Sequence, residues 1–140
     1  MSAAYTLQKL LYETLCADVL LNTFIAARVY DRVPADSQGN VTATFPYVSF
    51  GSYDFVPDDA DCIAAGEHTQ QIDIWSRAVG RVEAKQITDA VRHALHERHL
   101  IMDGFGLVQM RVIMAQVMGD PDGLSSHGIV QVTADIEEPL

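Results

Sequence analysis

Cations are scarce in this chain. Nine Lys and Arg stand against nineteen Asp and Glu, a formal net charge of −10. Affinity for phosphate backbones comes chiefly from Lys and Arg, so a non-specific nucleic-acid binder is excluded. A protein held on an anionic membrane surface is excluded on the same ground. Cysteine is nearly absent: Cys16 and Cys62 lie far apart without metal-ligand spacing, which points to a reduced, intracellular protein. Long apolar runs are missing too. The longest uncharged stretch near the N-terminus, Val19 to Ala27, is too short to span a bilayer. The opening residues MSAAYTLQKLL carry no basic segment ahead of their apolar part, so no secretory signal is expected. These absences together lead to the expectation of a soluble, cytoplasmic protein.

The 140 residues that are there suffice for one domain with one core, spanning 1–140. From about Ala3 to Leu21 the apolar spacing is helical, with Leu7, Leu10, Leu11, Thr14 and Leu21 on one side. The other side is not properly polar. Tyr5, Tyr12, Cys16 and Val19 gather there, so this helix is either wedged inside the fold or turned toward a partner subunit. A polar loop, Ala35 to Thr44, precedes a strand from Pro46 to Phe55, in which Val48 and Phe50 alternate with Tyr and small residues. An acidic loop follows, holding Asp54, Asp58, Asp59, Asp61 and Glu67 and broken by Pro57 and Gly66.

The most legible stretch is His68 to Arg98. It reads as a strand to Trp75, a turn through Ser76 to Gly80, and an amphipathic helix to about Arg98. Gly80 is the expected N-cap, with Glu83 near the positive end of the helix dipole. Ala84, Ile87, Val91, Ala94 and Leu95 form its core face. A strand from Gly106 to about Met118 then places Val108, Met110, Val112 and Met114 on one side. The turn Asp120-Pro121-Asp122-Gly123 leads to a last strand, His127 to Glu137, with Val130, Val132, Ala134 and Ile136 inward. The expected order is α-β-β-α-β-β. That is an α+β domain with a mainly antiparallel four-stranded sheet and two helices on one face.

Chemistry-bearing groups are sparse. His93, His96 and His99 fall close together at the end of the second helix. A fourth ligand and a HExxH arrangement are lacking, so no metal residue is assigned. The aspartates of the acidic loop lack the alternate-position spacing of a calcium loop and read as solvated. Ser125-Ser126-His127 has no orienting acid beside it, and Cys16 has no neighbouring base. There is no Walker A motif, GxGxxG or GxSxG, so no catalytic residue and no cofactor is assigned, and the protein is expected not to be an enzyme.

The second helix carries a sharper signal. At 100° per residue, Arg81, Lys85, Thr88, Arg92, His96 and His99 fall in one stripe beside the core face. The plain reading is a solvated helix face. The functional reading is a docking ridge for an acidic surface of another subunit, such as Asp58, Asp59 and Asp61 of a neighbour. A contact of that head-to-tail kind closes into a ring.

Four segments carry a family resemblance: RVYDRVP (Arg28 to Pro34), FPYVSFG (Phe45 to Gly51), HTQQIDIWSRAVGRVEAKQITDAVRHAL (His68 to Leu95) and PDGLSSHGIVQVTADIE (Pro121 to Glu137). In order and spacing they resemble the tail terminator, or tail completion, proteins of long-tailed phages, prophages and gene transfer agents. The Trp75-Ser76-Arg77 turn before Gly80 is the most specific element. The resemblance implies a subunit similar to the lambda tail terminator. Such a subunit forms a homo-hexameric ring that caps the tail tube and joins it to the head-side connector. The implied partners are other copies of the chain, the tail tube protein and a connector or stopper protein, with DNA only in passage through the lumen. The implied location is the bacterial cytoplasm during assembly and then the particle. The residues expected at subunit or tube contacts are Arg81, Lys85, Arg92, Asp58, Asp59, Asp61, Trp75, Tyr5 and Tyr12. The competing expectation is a small cytoplasmic binding module or a His-dependent metal-binding protein.

Overall fold

The computed structural model describes residues 2–139; Met1 and Leu140, the ends of the expected domain, lie outside the described residues. The N-terminal apolar segment folds as two helices, α1 (Ala3–Ala17) and α2 (Val19–Ile25). The expected single helix is broken at Asp18. That residue ends α1 in an extended conformation, and its carboxylate accepts from Leu21 N at 2.9 Å to start α2. Asn22 seals the joint, its Nδ2 donating to the carbonyls of Leu15, Cys16 and Asp18. Carbonyls that a helix end would leave unsatisfied are thereby paired. Leu7, Leu11, Leu15, Leu21 and Ile25 are fully buried.

The sheet has five strands in the order β1-β2-β3-β5-β4. They are β1 (Val29–Tyr30), β2 (Tyr47–Pro57), β3 (Ala64–Ser76), β4 (Gly106–Gly119) and β5 (Ser126–Glu138). The expected four-stranded sheet lacked β1, a two-residue strand pairing parallel to β2, so the sheet is mixed. The remaining pairs are antiparallel. The third helix, α3 (Val82–Leu95), packs on β3, β4 and β5, and α1 and α2 pack beside it. One core cluster joins Leu7, Leu11 and Ile25 with Ile72, Ile74, Ile87, Val91, Val130 and Val132. The core face read from the α3 periodicity is buried throughout.

Four boundaries differ from the sequence reading. Helix α3 starts after Arg81, which has no side-chain cap, while Gly80 takes φ +78° before it and Glu83 accepts from Ser76 Oγ at 2.8 Å. It ends at Leu95, with Glu97 at φ +51°, so His99 lies beyond the helix. The acidic loop is largely a hairpin: β2 and β3 stay paired from Tyr47–Trp75 out to Pro57–Gly66. Pro57 is tolerated because β1 covers only Val48 and Ser49, leaving the outer half of β2 as an edge. Gly66 leaves room for the Phe55 ring, which lies where its Cβ would stand.

The fourth difference lies in β4, whose register slips at Val108 and Ile113. Each extra residue is a bulge that shifts the side-chain alternation. Met110 and Val112 therefore face the helices opposite Ala134 and Val132, while Val108 is exposed and Met114 sits opposite Gln131 on the other face.

Candidate subunit interface

The expected contact residues sort into separate surfaces. The first is the tip of the β2–β3 hairpin. Residues 52–63 are all exposed, and the tip closes as a two-residue turn, Asp61-Cys62, with Ala60 and Ile63 exchanging backbone hydrogen bonds at 3.0 and 2.9 Å. Asp59 is tied back, accepting from Ala65 N at 3.0 Å. Asp58 and Asp61 point from the same tip with no ion pair among the described residues. Between Asp54 and Glu67 there are five acids and no Lys or Arg. The tip is an acidic probe on a paired arm.

The second surface lies at the opposite end of β3. Arg77, Arg81 and Lys85 line a groove of ≈ 740 Å³ with Gly119, Ser125 and Ser126. Arg77 lies over the Phe45 ring at 4.2 Å, and its Nε donates to Ser125 Oγ at 3.3 Å. The guanidinium of Arg81 rests against Gly119, 2.9 Å from where a Cβ would stand. None of these three cations has a carboxylate partner within 4.0 Å among the described residues. The nearby Asp122 is engaged locally: the hydroxyl and backbone N–H of Ser125 and the N–H of Leu124 hold its pKa down to about 2.

The expected ridge along α3 is shorter than its periodicity implied. Arg92 donates to Asp89 at 2.8 Å, and that bond lowers the carboxyl of Asp89 below its usual range. Thr88 is buried against the sheet rather than exposed in the stripe. His96 turns away to accept from Val112 N at 3.0 Å through Nδ1. Beside it Glu97 N donates to Met110 O at 3.0 Å, so these two residues cover the middle of the outer edge of β4. Among the described residues no group of three or more His, Cys, Asp or Glu side chains is placed to hold a metal ion.

A third surface is the outer side of α1 and α2. Tyr5, Tyr12, Val19 and Leu20 are exposed, and Tyr5 and Tyr12 share a shallow groove with Gln8, Lys9 and Phe50. A hydrogen bond with Cys16 raises the Tyr12 hydroxyl above its ordinary pKa.

Trp75 belongs to none of these surfaces. It stands on the sheet face away from the helices, stacked on His127 with ring centroids 3.9 Å apart and planes 9° from parallel. Nε2 of His127 lies 2.7 Å from Asp73 Oδ1, to which Gln71 also donates at 2.9 Å. Sequence reasoning missed this network, because its members sit on different strands with no local spacing to connect them. It also left out Arg77, which stands in the groove with Arg81 and Lys85. The signal available there was one more cation next to Gly80 in an acidic chain.

The fold is a single α+β layer with, among the described residues, charge of opposite sign lacking salt-bridge partners at the two ends of its sheet and an apolar flank. The family model for Tail completion protein gp17 matches residues 9–137, and the chain belongs to that family of structural phage tail proteins. It is 32% identical over 88 residues to the tail completion protein gp17 of Bacillus phage SPP1. That match spans 63% of this chain and 65% of the relative, less than two thirds of the relative's length. A chain in the virion of a native gene transfer agent particle superposes with a TM-score of 0.85 at 26% identity, covering 97% of this chain and 98% of that one. The structure of bacteriophage SPP1 gp17 gives a TM-score of 0.63 at 28% identity, covering 94% and 89%.

Proposed function

We propose that this protein is a non-enzymatic ring subunit that terminates a tail tube and joins it to the head-side connector. It assembles in the bacterial cytoplasm and ends in a phage-like particle. The observation that carries this reading is the placement of charge. The acidic hairpin tip and the groove of Arg77, Arg81 and Lys85 stand at opposite ends of β3, whose 13 residues run for about 40 Å. A subunit polarised in this way presents different surfaces to successive partners. Membership of a tail completion family and the likeness to a chain of a gene transfer agent virion support it. The exposed tyrosines of α1 supply a flank for the tube or a neighbouring copy. A ring of several copies, six by the family resemblance, leaves a central passage for DNA.

The test is electron microscopy and mass measurement of the purified protein, alone and with tail-tube protein. Rings, free or at tube ends, are the expected result. A chain that stays monomeric and leaves tube ends bare in the presence of tube protein overturns the reading.

A further inference from the structure

Resting on the ring reading above, we infer that the acidic β2–β3 tip of one copy seats in the cationic groove of the next copy. The two surfaces cannot meet within a chain, because they lie at opposite ends of the same strand. They are complementary in charge. The tip offers Asp58, Asp59 and Asp61, and the groove offers Arg77, Arg81 and Lys85 against Asp120 in its lining and the nearby Asp122, whose charge Arg77 also feels.

They also suit one another in form. The tip is narrow, a two-residue turn closed by backbone hydrogen bonds, on an arm held in register by β3. The groove continues past Lys85 into a second hollow of ≈ 280 Å³ between α3 and the β4 residues Ala115 and Val117. That part of the β4 edge lies beyond the bonds from His96 and Glu97 to Val112 and Met110. Arg92 and Asp89, paired with one another at 2.8 Å, line that hollow and add little net charge to it. A second copy is a better occupant than nucleic acid. Its compact tip brings three carboxylates to three local cations, a match in number and sign. Because the two surfaces differ, the contact is heterologous, and it closes into a ring where its rotation completes a full turn, as the ring reading requires.

Two full-length variants test the contact. One carries Arg81→Glu and Lys85→Glu, and the other carries Asp58→Lys, Asp59→Lys and Asp61→Lys. Each is checked for an unchanged circular dichroism spectrum and then sedimented with tube protein. Each alone is expected to give smaller species than the wild type. An equimolar mixture is expected to assemble again, because every reversed tip then meets a reversed groove. Assembly by either variant alone, or a mixture that fails to recover, overturns the contact while leaving the ring in place. Wild type that never assembles defeats the ring reading instead. A fold-independent check uses the exposed native Cys62 at the tip. With Ala78→Cys in the groove wall, mild oxidation is expected to give a ladder of covalent oligomers on a non-reducing gel. A single monomer band from assembled protein overturns the contact, and binding of the groove to short duplex DNA in place of the tip does so too.

Discussion

His127 and Asp73 meet across β5 and β3, Nε2 to Oδ1 at 2.7 Å, with the Trp75 ring lying parallel over the imidazole. Both side chains are mostly buried, at 17% and 13% exposure, on a sheet face that no helix covers. Asp73 Oδ2 fills the space above Gly51, where the register of β2 slips, so the bulge and the carboxylate fit one another. His127→Ala leaves Asp73 with Gln71 as its remaining side-chain partner and leaves Trp75 unstacked. Stability should fall by about 2–3 kcal/mol, the scale of breaking a partly buried charge-assisted pair. The chain has one Trp, so its fluorescence reports the site directly. The emission of Trp75 should rise when the stacked imidazole is removed. An unchanged emission and melting temperature would show that the pair is incidental.

His68 makes stability depend on pH. It is 3% exposed, and the hydroxyl of Tyr53 lies 2.6 Å from its Nδ1. Its Nε2 is buried without a partner. Burial pushes its pKa below the ordinary 6.5, an effect that the charge of Glu138 partly opposes. A histidine depressed in the folded state takes up protons more readily when unfolded, so stability rises with pH across its titration. The His68 contribution is fully present above pH 6.5 and is lost as pH falls from there through the folded pKa. His68→Phe should flatten the melting temperature between about pH 7 and 5. A wild-type slope that survives the substitution would locate the dependence elsewhere.

Thr88 and Gly128 should show strong coupling. The buried Thr88 hydroxyl has no hydrogen-bond partner and sits where a Gly128 Cβ would be, with Ile74 Cβ 3.1 Å from the same point. Gly128→Ala should cost about 1–3 kcal/mol through overpacking. Thr88→Ala should be neutral or stabilising, since it removes an unsatisfied buried hydroxyl. The double variant should recover part of the Gly128→Ala loss. Additive effects in urea denaturation would contradict the packing described.

Periodicity alone makes the core faces of α3 and β5 legible, because each element is amphipathic over its whole length. The failures have separate causes. Strand β1 is too short to carry a period, and only its pairing with Val48 and Ser49 defines it. The break at Asp18 is masked by apolar spacing that continues through it. Yet Asp is a strong N-cap, and Asn22 supplies the donors that make the break tolerable. Pro57 and Gly66 read as loop punctuation, although both fit a hairpin arm, one at an edge and the other beneath Phe55. In β4 the two bulges displace the alternation that the sequence displays. The charged residues of the tip and the groove are visible as charges. Their placement at the two ends of one strand is not, since it depends on the hairpin being a hairpin.

The two bonds from His96 and Glu97 to the middle of β4 bear on storage as much as on architecture. A bare fourteen-residue outer strand is a template onto which further strands can add without limit. Here its centre is occupied by the chain's own backbone and imidazole, and its bulges spoil the register of what remains. Strand addition across the centre of β4 is blocked. In a concentrated stock of this protein, fibre growth is thereby guarded against at this part of the sheet.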